Sequence, residues 1–217
     1  MEVVKFPMNS EEMHIQNKKC DYKTLAIMTL YSNMTPKEML YEEGTDEIYR
    51  YVYKDKIIKF TDEIEKLSKN KINTIIKNMR KLSKLDNRLV NACKSKEGKI
   101  YYKINYTDME GKSFVTIEED ILRVLINACN SNTIKIYILL KYMCRNGEVK
   151  MTREYIASQI GLSPSKGKQI VTDCTKILSG AGFINKRKEY VYGNEIKCDI
   201  YYSVNDYELW KKIYNKL

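Results

Sequence analysis

One histidine, three prolines and one tryptophan in 217 residues close off several kinds of protein before any pattern is sought. His14 is the only imidazole, so a two-histidine metal pair of the rolling-circle nuclease kind is absent. A Cys–His nucleophile would have to recruit His14 from an acidic setting beside Glu11 and Glu12. The six cysteines (Cys20, Cys93, Cys129, Cys144, Cys174, Cys198) form no C-x-x-C pair. A zinc site needs paired ligands across short turns, so none is expected, and the thiols read as reduced and mostly buried. Nine glycines and three prolines exclude a collagen-like or linker-dominated chain. The longest apolar stretch, Ile134–Met143, is interrupted by Lys135 and Lys141 and is far shorter than the roughly 20 residues of a spanning helix. The first twenty residues have no apolar h-region, so no signal peptide is expected. A cytoplasmic protein without membrane, metal or other cofactor is the expectation.

Two fragments imitate chemistry. Gly111-Lys112-Ser113 looks like the end of a Walker A loop, but Tyr106 stands where the first glycine must be, so no backbone cradle for phosphate can form. Glu118-Glu119-Asp120 reads as the negative first turn of a helix, favourable with its dipole, and not as a metal-binding cluster. Eighteen tyrosines are too many to nominate one as a nucleophile. No catalytic residue is assigned, and no enzyme is expected.

What the chain does have is a core and an excess of base. It is 43% hydrophobic and 30% charged, enough for one large domain or two small ones. Lys plus Arg exceed Asp plus Glu by 38 to 28, a net charge of +10, which favours a polyanionic partner. That charge is uneven: residues 66–103 hold twelve bases and two acids, and no acid occurs from Lys69 to Leu85.

Laying the two halves over each other suggests an internal repeat. KIIKFTDEIEKLSKNKINTIIKNMRKLSK falls on EVKMTREYIASQIGLSPSKGKQIVTDCTKILS. Ile75-Ile76 then meets Ile170-Val171, Met79 meets Cys174 and Leu82 meets Ile177 at an offset of 95, with a shorter interhelical turn in the first copy. Each copy reads as helix, short strand, helix, turn, helix, hairpin. In the second, Thr133–Arg145 is a helix, Val149–Met151 a strand and Thr152 an N-cap for Arg153–Ile160. Gly161 is the left-handed stop, and Ser163-Pro164 opens a helix to Ser179. Strands at Phe183–Tyr192 and Glu195–Ser203 flank Gly193. In the first copy, Thr61 caps a short helix and a long one runs from Asn70 to Lys84, with a helix at Lys23–Tyr31 before them and Met34–Asp55 unplaced. Ile100, Tyr102, Ile104 and Tyr106 alternate on its last strand. Tyr207, Trp210, Ile213, Tyr214 and Leu217 form an apolar stripe at helical spacing, a packing cover or a dimer contact.

This order of elements resembles the winged helix-turn-helix, whose last helix enters the DNA major groove while the hairpin wing grips the backbone. MTREYIASQIGLSPSKGKQIVTDCTKILSGAGFINKR is similar to a bacterial winged-helix module. FVTIEEDILRVLINACNSNTIKIYILLKYM is similar to the lead-in of replication initiators of Gram-positive plasmids and phages. Two such domains in tandem resemble the plasmid initiator (Rep) architecture, over Lys56–Asp206. The resemblance implies an α+β, predominantly helical fold. It has two tandem winged helix-turn-helix domains, 1–110 (with an irregular insertion) and 111–217, and a C-terminal helix. It implies sequence-specific binding of double-stranded DNA in replication initiation, with replication proteins or a second copy as further partners. A winged-helix regulator of transcription and a protein-interaction scaffold remain as alternatives.

On a helical wheel, Ile72, Ile75, Ile76, Met79 and Leu82 form one face of the first long helix. Asn70, Asn73, Thr74, Lys77, Lys81 and Lys84 project from the other, amides and lysines suited to adenine, guanine and phosphate. The second copy presents Ser165, Lys168, Gln169, Thr172 and Lys176, with Asp173 at the flank. Gln169 and Thr172 suit base edges, Lys168 and Lys176 suit phosphates, and the wing adds Lys186, Arg187 and Lys188.

Overall fold

The computed structural model describes residues 3–7, 20–34, 49–85, 89–105, 114–192 and 197–216. His14, Tyr106, Gly111–Ser113, Gly193, Glu195, Ile196 and Leu217 lie outside them, as does most of the unplaced stretch. Contacts divide the chain into two units between Ser131 and Asn132. The repeat suggested a boundary at 110/111. The division falls later because β6 (Phe114–Glu118) pairs antiparallel with β1 (Val3–Pro7), and the helix after it packs in the first unit.

The first unit is organised round α1 (Tyr22–Leu30), whose Leu25, Ala26, Ile27 and Met28 are fully buried. Asp21 caps it, accepting from the Lys23 amide at 3.2 Å and the Thr24 hydroxyl at 2.7 Å. A four-stranded sheet has the order β2 (Asn33–Met34), β3 (Tyr49–Tyr53), β5 (Ile100–Asn105), β4 (Val90–Lys94). Between β3 and β4 run α2 (Lys54–Lys59), α3 (Thr61–Ser68) and α4 (Ile72–Leu82), and after β6 comes α5 (Glu119–Ala128). Helices α3, α4 and α5 all pack on α1. Glu63 of α3 accepts from the Tyr31 hydroxyl at 2.7 Å and pairs with Arg123 of α5, which also holds Glu119. Burial and this carboxylate push the Tyr31 phenol above its ordinary range.

The second unit runs α6 (Ser131–Met143), β7 (Val149–Lys150), α7 (Arg153–Gln159), α8 (Pro164–Gly180), β8 (Ile184–Val191), β9 (Lys197–Val204) and α9 (Tyr207–Tyr214). Its sheet order is β7-β9-β8, the same sequence of pairings as β3-β5-β4 in the first unit. Helix α6 is buried from Thr133 to Leu140, so its hydrophobicity does not follow a stripe. Helix α9 covers this unit: Trp210 stacks on Phe183 at 5.6 Å and on Tyr214 at 5.1 Å. Gly182, at φ +73°, lies so close beneath Ile213 that a Cβ there would come within 2.6 Å of it.

Several local readings hold and several change. The Thr152 hydroxyl caps α7, accepting from the Tyr155 amide at 3.1 Å, and Gly161 is left-handed at φ +77°. Thr61 is not a cap: it is the first residue of α3, and its hydroxyl donates back to the Ile58 carbonyl at 2.6 Å. Ser163 makes no side-chain capping bond, leaving Pro164 to set the first turn of α8. Cys20, Cys129, Cys144 and Cys174 are buried as expected, whereas Cys198 is exposed.

Elements of the two units correspond at a different offset from the one the apolar residues suggested. Helix starts (61 and 153, 72 and 164) and left-handed turn residues (Lys69, φ +58°, and Gly161) correspond at an offset of 92. Buried Ile75, Met79 and Leu82 then match buried Gly167, Val171 and Cys174. The offset of 95 placed Leu82 on Ile177, which is 45% exposed. The turn of the first unit, residues 69–71, is one residue shorter than that of the second, 160–163, and α8 differs by continuing six residues further than α4.

Gly167 explains why the apolar pattern misled. It is the point where α8 crosses α7, and a Cβ there would sit 2.6 Å from Ala157 Cβ and 2.9 Å from Leu162 Cβ. Neither is the end of a flexible side chain, so Gly167→Ala must push two helices apart. Ordinary helix propensity favours the substitution by about 1 kcal/mol. The overpacking, about 1–3 kcal/mol, should outweigh it. Urea denaturation of the second unit should show a lower midpoint at unchanged slope.

Candidate nucleic-acid interface

Helix α4 is held in one rotation by the burial of one face and by two sets of hydrogen bonds. Ile75 and Met79 are fully buried and Leu82 nearly so, while Ile72 and Ile76 are only half-buried, a narrower stripe than the wheel suggested. At its start Lys71 offers no side-chain cap. Instead the Glu65 carboxylate accepts from the Ile72 amide at 2.8 Å and from Lys71 Nζ at 3.2 Å. In its middle, Asn78 Nδ2 donates at 2.8 Å to Asp21, the same carboxylate that caps α1. Glu65 and Asn78 escaped sequence reasoning because their partners lie seven and fifty-seven residues away.

So oriented, α4 lines one side of a groove of about 550 Å³ whose other side is α2. Asn73, Ile76, Lys77, Arg80, Lys81 and Lys84 face Lys54 and Ile58. No acid lines it. Among the described residues, Lys54, Lys77, Lys81 and Lys84 make no ion pair, and Arg80 bonds the Tyr102 phenol. Four of the six expected residues, Asn73, Lys77, Lys81 and Lys84, therefore come together in the groove. Lys84 does so from the turn beyond α4. Thr74 is exposed outside the groove lining, and Asn70 is half-buried in the turn, its amide donating to Ser68 Oγ at 3.2 Å. Lys54 and Arg80 were not foreseen. Arg80 belongs to the same basic helix, but Lys54 lies in a stretch whose structure the sequence did not disclose.

The second unit carries its charges differently. Lys168 is ion-paired with Glu154 of α7. Gln169 Nε2 donates to Asp173 at 2.8 Å, and Arg187 is held by Glu148 at 2.8 Å and Glu189 at 3.1 Å, with its guanidinium 4.3 Å from the centre of the Tyr201 ring. These two carboxylates raise Arg187 further above an already high value. Thr172 accepts from Arg153 at 3.2 Å and donates to the Lys168 carbonyl at 2.9 Å. Lys186 is half-buried, 3.4 Å from Thr175 Oγ1. Burial, with Arg153 and Lys188 nearby, lowers its pKa. Ser165, Lys176 and Lys188 are exposed, and neither lysine has an ion-pair partner among the described residues.

Among the described residues, no group of three or more His, Cys, Asp or Glu could hold a metal, and no helix is long and apolar enough to cross a membrane.

The Glu65 cap has a pH signature. Its bond to the Ile72 amide, aided by Lys71, holds the carboxyl below its ordinary value. A depressed folded-state pKa means that the cap contributes stability above the unfolded value, about 4.3, and loses it as pH falls through the folded one. The Ile72 amide resonance should therefore titrate in NMR spectra with a midpoint below that of an ordinary glutamate. In Glu65→Gln that titration should vanish while the Asp21 cap on α1 stays intact.

No protein-family model matches the sequence, and neither does any curated protein. Among solved structures, the chain is similar in fold to a crystal structure of the Pi initiator protein in complex with iteron DNA. The likeness spans 94% of this chain and 98% of that one, with a TM-score of 0.51 and 10% sequence identity.

Proposed function

We propose that this chain is a sequence-specific double-stranded DNA-binding protein made of two winged-helix units, acting in the initiation of plasmid or phage replication by binding origin DNA. The observation that carries the reading is the groove of α2 and α4, where, among the described residues, no acid occurs and five cations stand without a carboxylate partner. A patch of that kind binds a polyanion by releasing its counterions. The matching sheet orders β3-β5-β4 and β7-β9-β8, each combined with a helix pair joined through a left-handed residue, support the winged-helix assignment of both units. The likeness to an initiator solved with iteron DNA supports replication over transcription. On this reading the protein works by binding, in the cytoplasm, and not as an enzyme.

The groove of the first unit supplies most of the sequence-independent affinity. In the second unit α8 reads bases, through Gln169 and Thr172, with Lys176 on a phosphate. Lys168 contributes less, because Glu154 already neutralises it. A protein-interaction scaffold would use the same surfaces without this dependence on salt.

Fluorescence anisotropy on duplex DNA at several salt concentrations tests the reading. If about 6–8 phosphates are neutralised, log K should fall against log salt with a slope of roughly −5 to −7. Lys77→Ala with Lys81→Ala should weaken binding to all sequences and flatten the slope by about two. Lys168→Ala should change it by well under one. A wild-type slope flatter than about −2, or no duplex binding at low salt, would favour the scaffold.

A further inference from the structure

On the groove side of α4, Asn73, Ile76, Lys77, Arg80 and Lys81 follow one another at the spacing of a single helix face. Ile76 stands in the middle of that face, with Asn73 a turn before it and Arg80 a turn after it. It is half-buried, whereas its neighbour Ile75 is fully buried in the core. Across the groove, Ile58 of α2 is 45% exposed, and again its neighbour Ile57 is fully buried. The two isoleucines form an apolar strip among the five cations of the groove.

A single exposed isoleucine is ordinary in a folded protein. Two of them on opposite walls of one cationic groove are a specific arrangement, and folding does not call for it. The core side of α4 is already filled by Ile75, Met79 and Leu82, and that of α2 by Ile57. The second unit lacks the arrangement. No helix stands between β7 and α7 to correspond to α2, and at the offset of 92 the place of Ile76 is taken by Lys168, which is ion-paired with Glu154.

We propose that the groove of α2 and α4 recognises thymine, Ile76 and Ile58 lying against C5-methyl groups in the DNA major groove while the surrounding cations hold phosphates. The inference rests on the DNA-binding reading above, and it adds a sequence preference to cations that by themselves bind any sequence. A groove both cationic and apolar fits a polyanion that also offers an apolar surface. On the major-groove edges of duplex DNA the thymine methyl is that surface. Asn73, exposed one turn away on the same face, suits the adenine edge, so A·T pairs satisfy both kinds of side chain.

Two duplexes of equal length and charge isolate the contact: an alternating A·T duplex and the same duplex with deoxyuridine in place of thymidine. The exchange removes the methyl groups and leaves every phosphate and hydrogen-bonding edge in place. The full chain should bind the thymine duplex more tightly, by roughly three- to fourfold for each methyl contacted. Ile58→Ala and Ile76→Ala should each bring the thymine-to-uracil ratio towards one, and Ile76→Val should keep part of it. Lys77→Ala with Lys81→Ala should weaken both complexes and leave the ratio unchanged. The ratio is taken within one variant, so partial unfolding of Ile76→Ala cannot imitate its loss. Equal binding of the two duplexes by the wild-type chain, or a preference that survives in both alanine variants, would overturn the inference. Salt-dependent binding to both duplexes would in that case leave the DNA-binding reading standing, whereas no duplex binding at low salt would remove the two together.

Discussion

The burial of Ile75 and Met79 against the core of the first unit fixes the rotation of α4, and what that unit offers a partner follows from it. A helix turned by one residue would carry Lys77 and Lys81 away from α2 and bring Ile76 fully into the core. The Glu65 cap and the Asn78–Asp21 bond hold the same rotation from the start and the middle of the helix. The result is a row of cations along a groove rather than a scatter of lysines over a solvated helix.

Composition counts every base alike, but a base already held by a carboxylate has less to offer a phosphate. Lys168 and Arg187 are bound in this way, whereas Lys77, Lys81, Lys84, Lys176 and Lys188 have no carboxylate partner among the described residues. The pairing state divides the second unit's surface into a half that is electrostatically satisfied and a half that is not. On the proposed DNA-binding reading it also favours Lys188 over its neighbour Arg187 as a contact.

Much of this could be read in the sequence, and the exceptions have physical causes. The element order of the second unit, the Thr152 cap, the Gly161 turn and the outward position of Asn73, Lys77 and Lys81 all follow from local rules of helix geometry and turn chemistry. The repeat register did not, because matching apolar residues cannot find a buried position filled by glycine. At Gly167 the neighbouring helix occupies the space of a side chain. The extent of the first unit was hidden for another reason: β6 pairs with β1 across more than a hundred residues. Long-range partners such as Glu148 for Arg187 were equally invisible, and they decide which bases remain unpaired.

The account stands or falls on whether the unpaired bases are the ones that meet DNA. Amine-reactive labelling read by mass spectrometry, with and without a bound duplex, addresses this lysine by lysine. Lys77, Lys81, Lys84 and Lys188 should be strongly protected by duplex DNA, and Lys150 and Lys168 should react as before. Equal protection of all six, or protection of Lys150 and Lys168 alone, would contradict it.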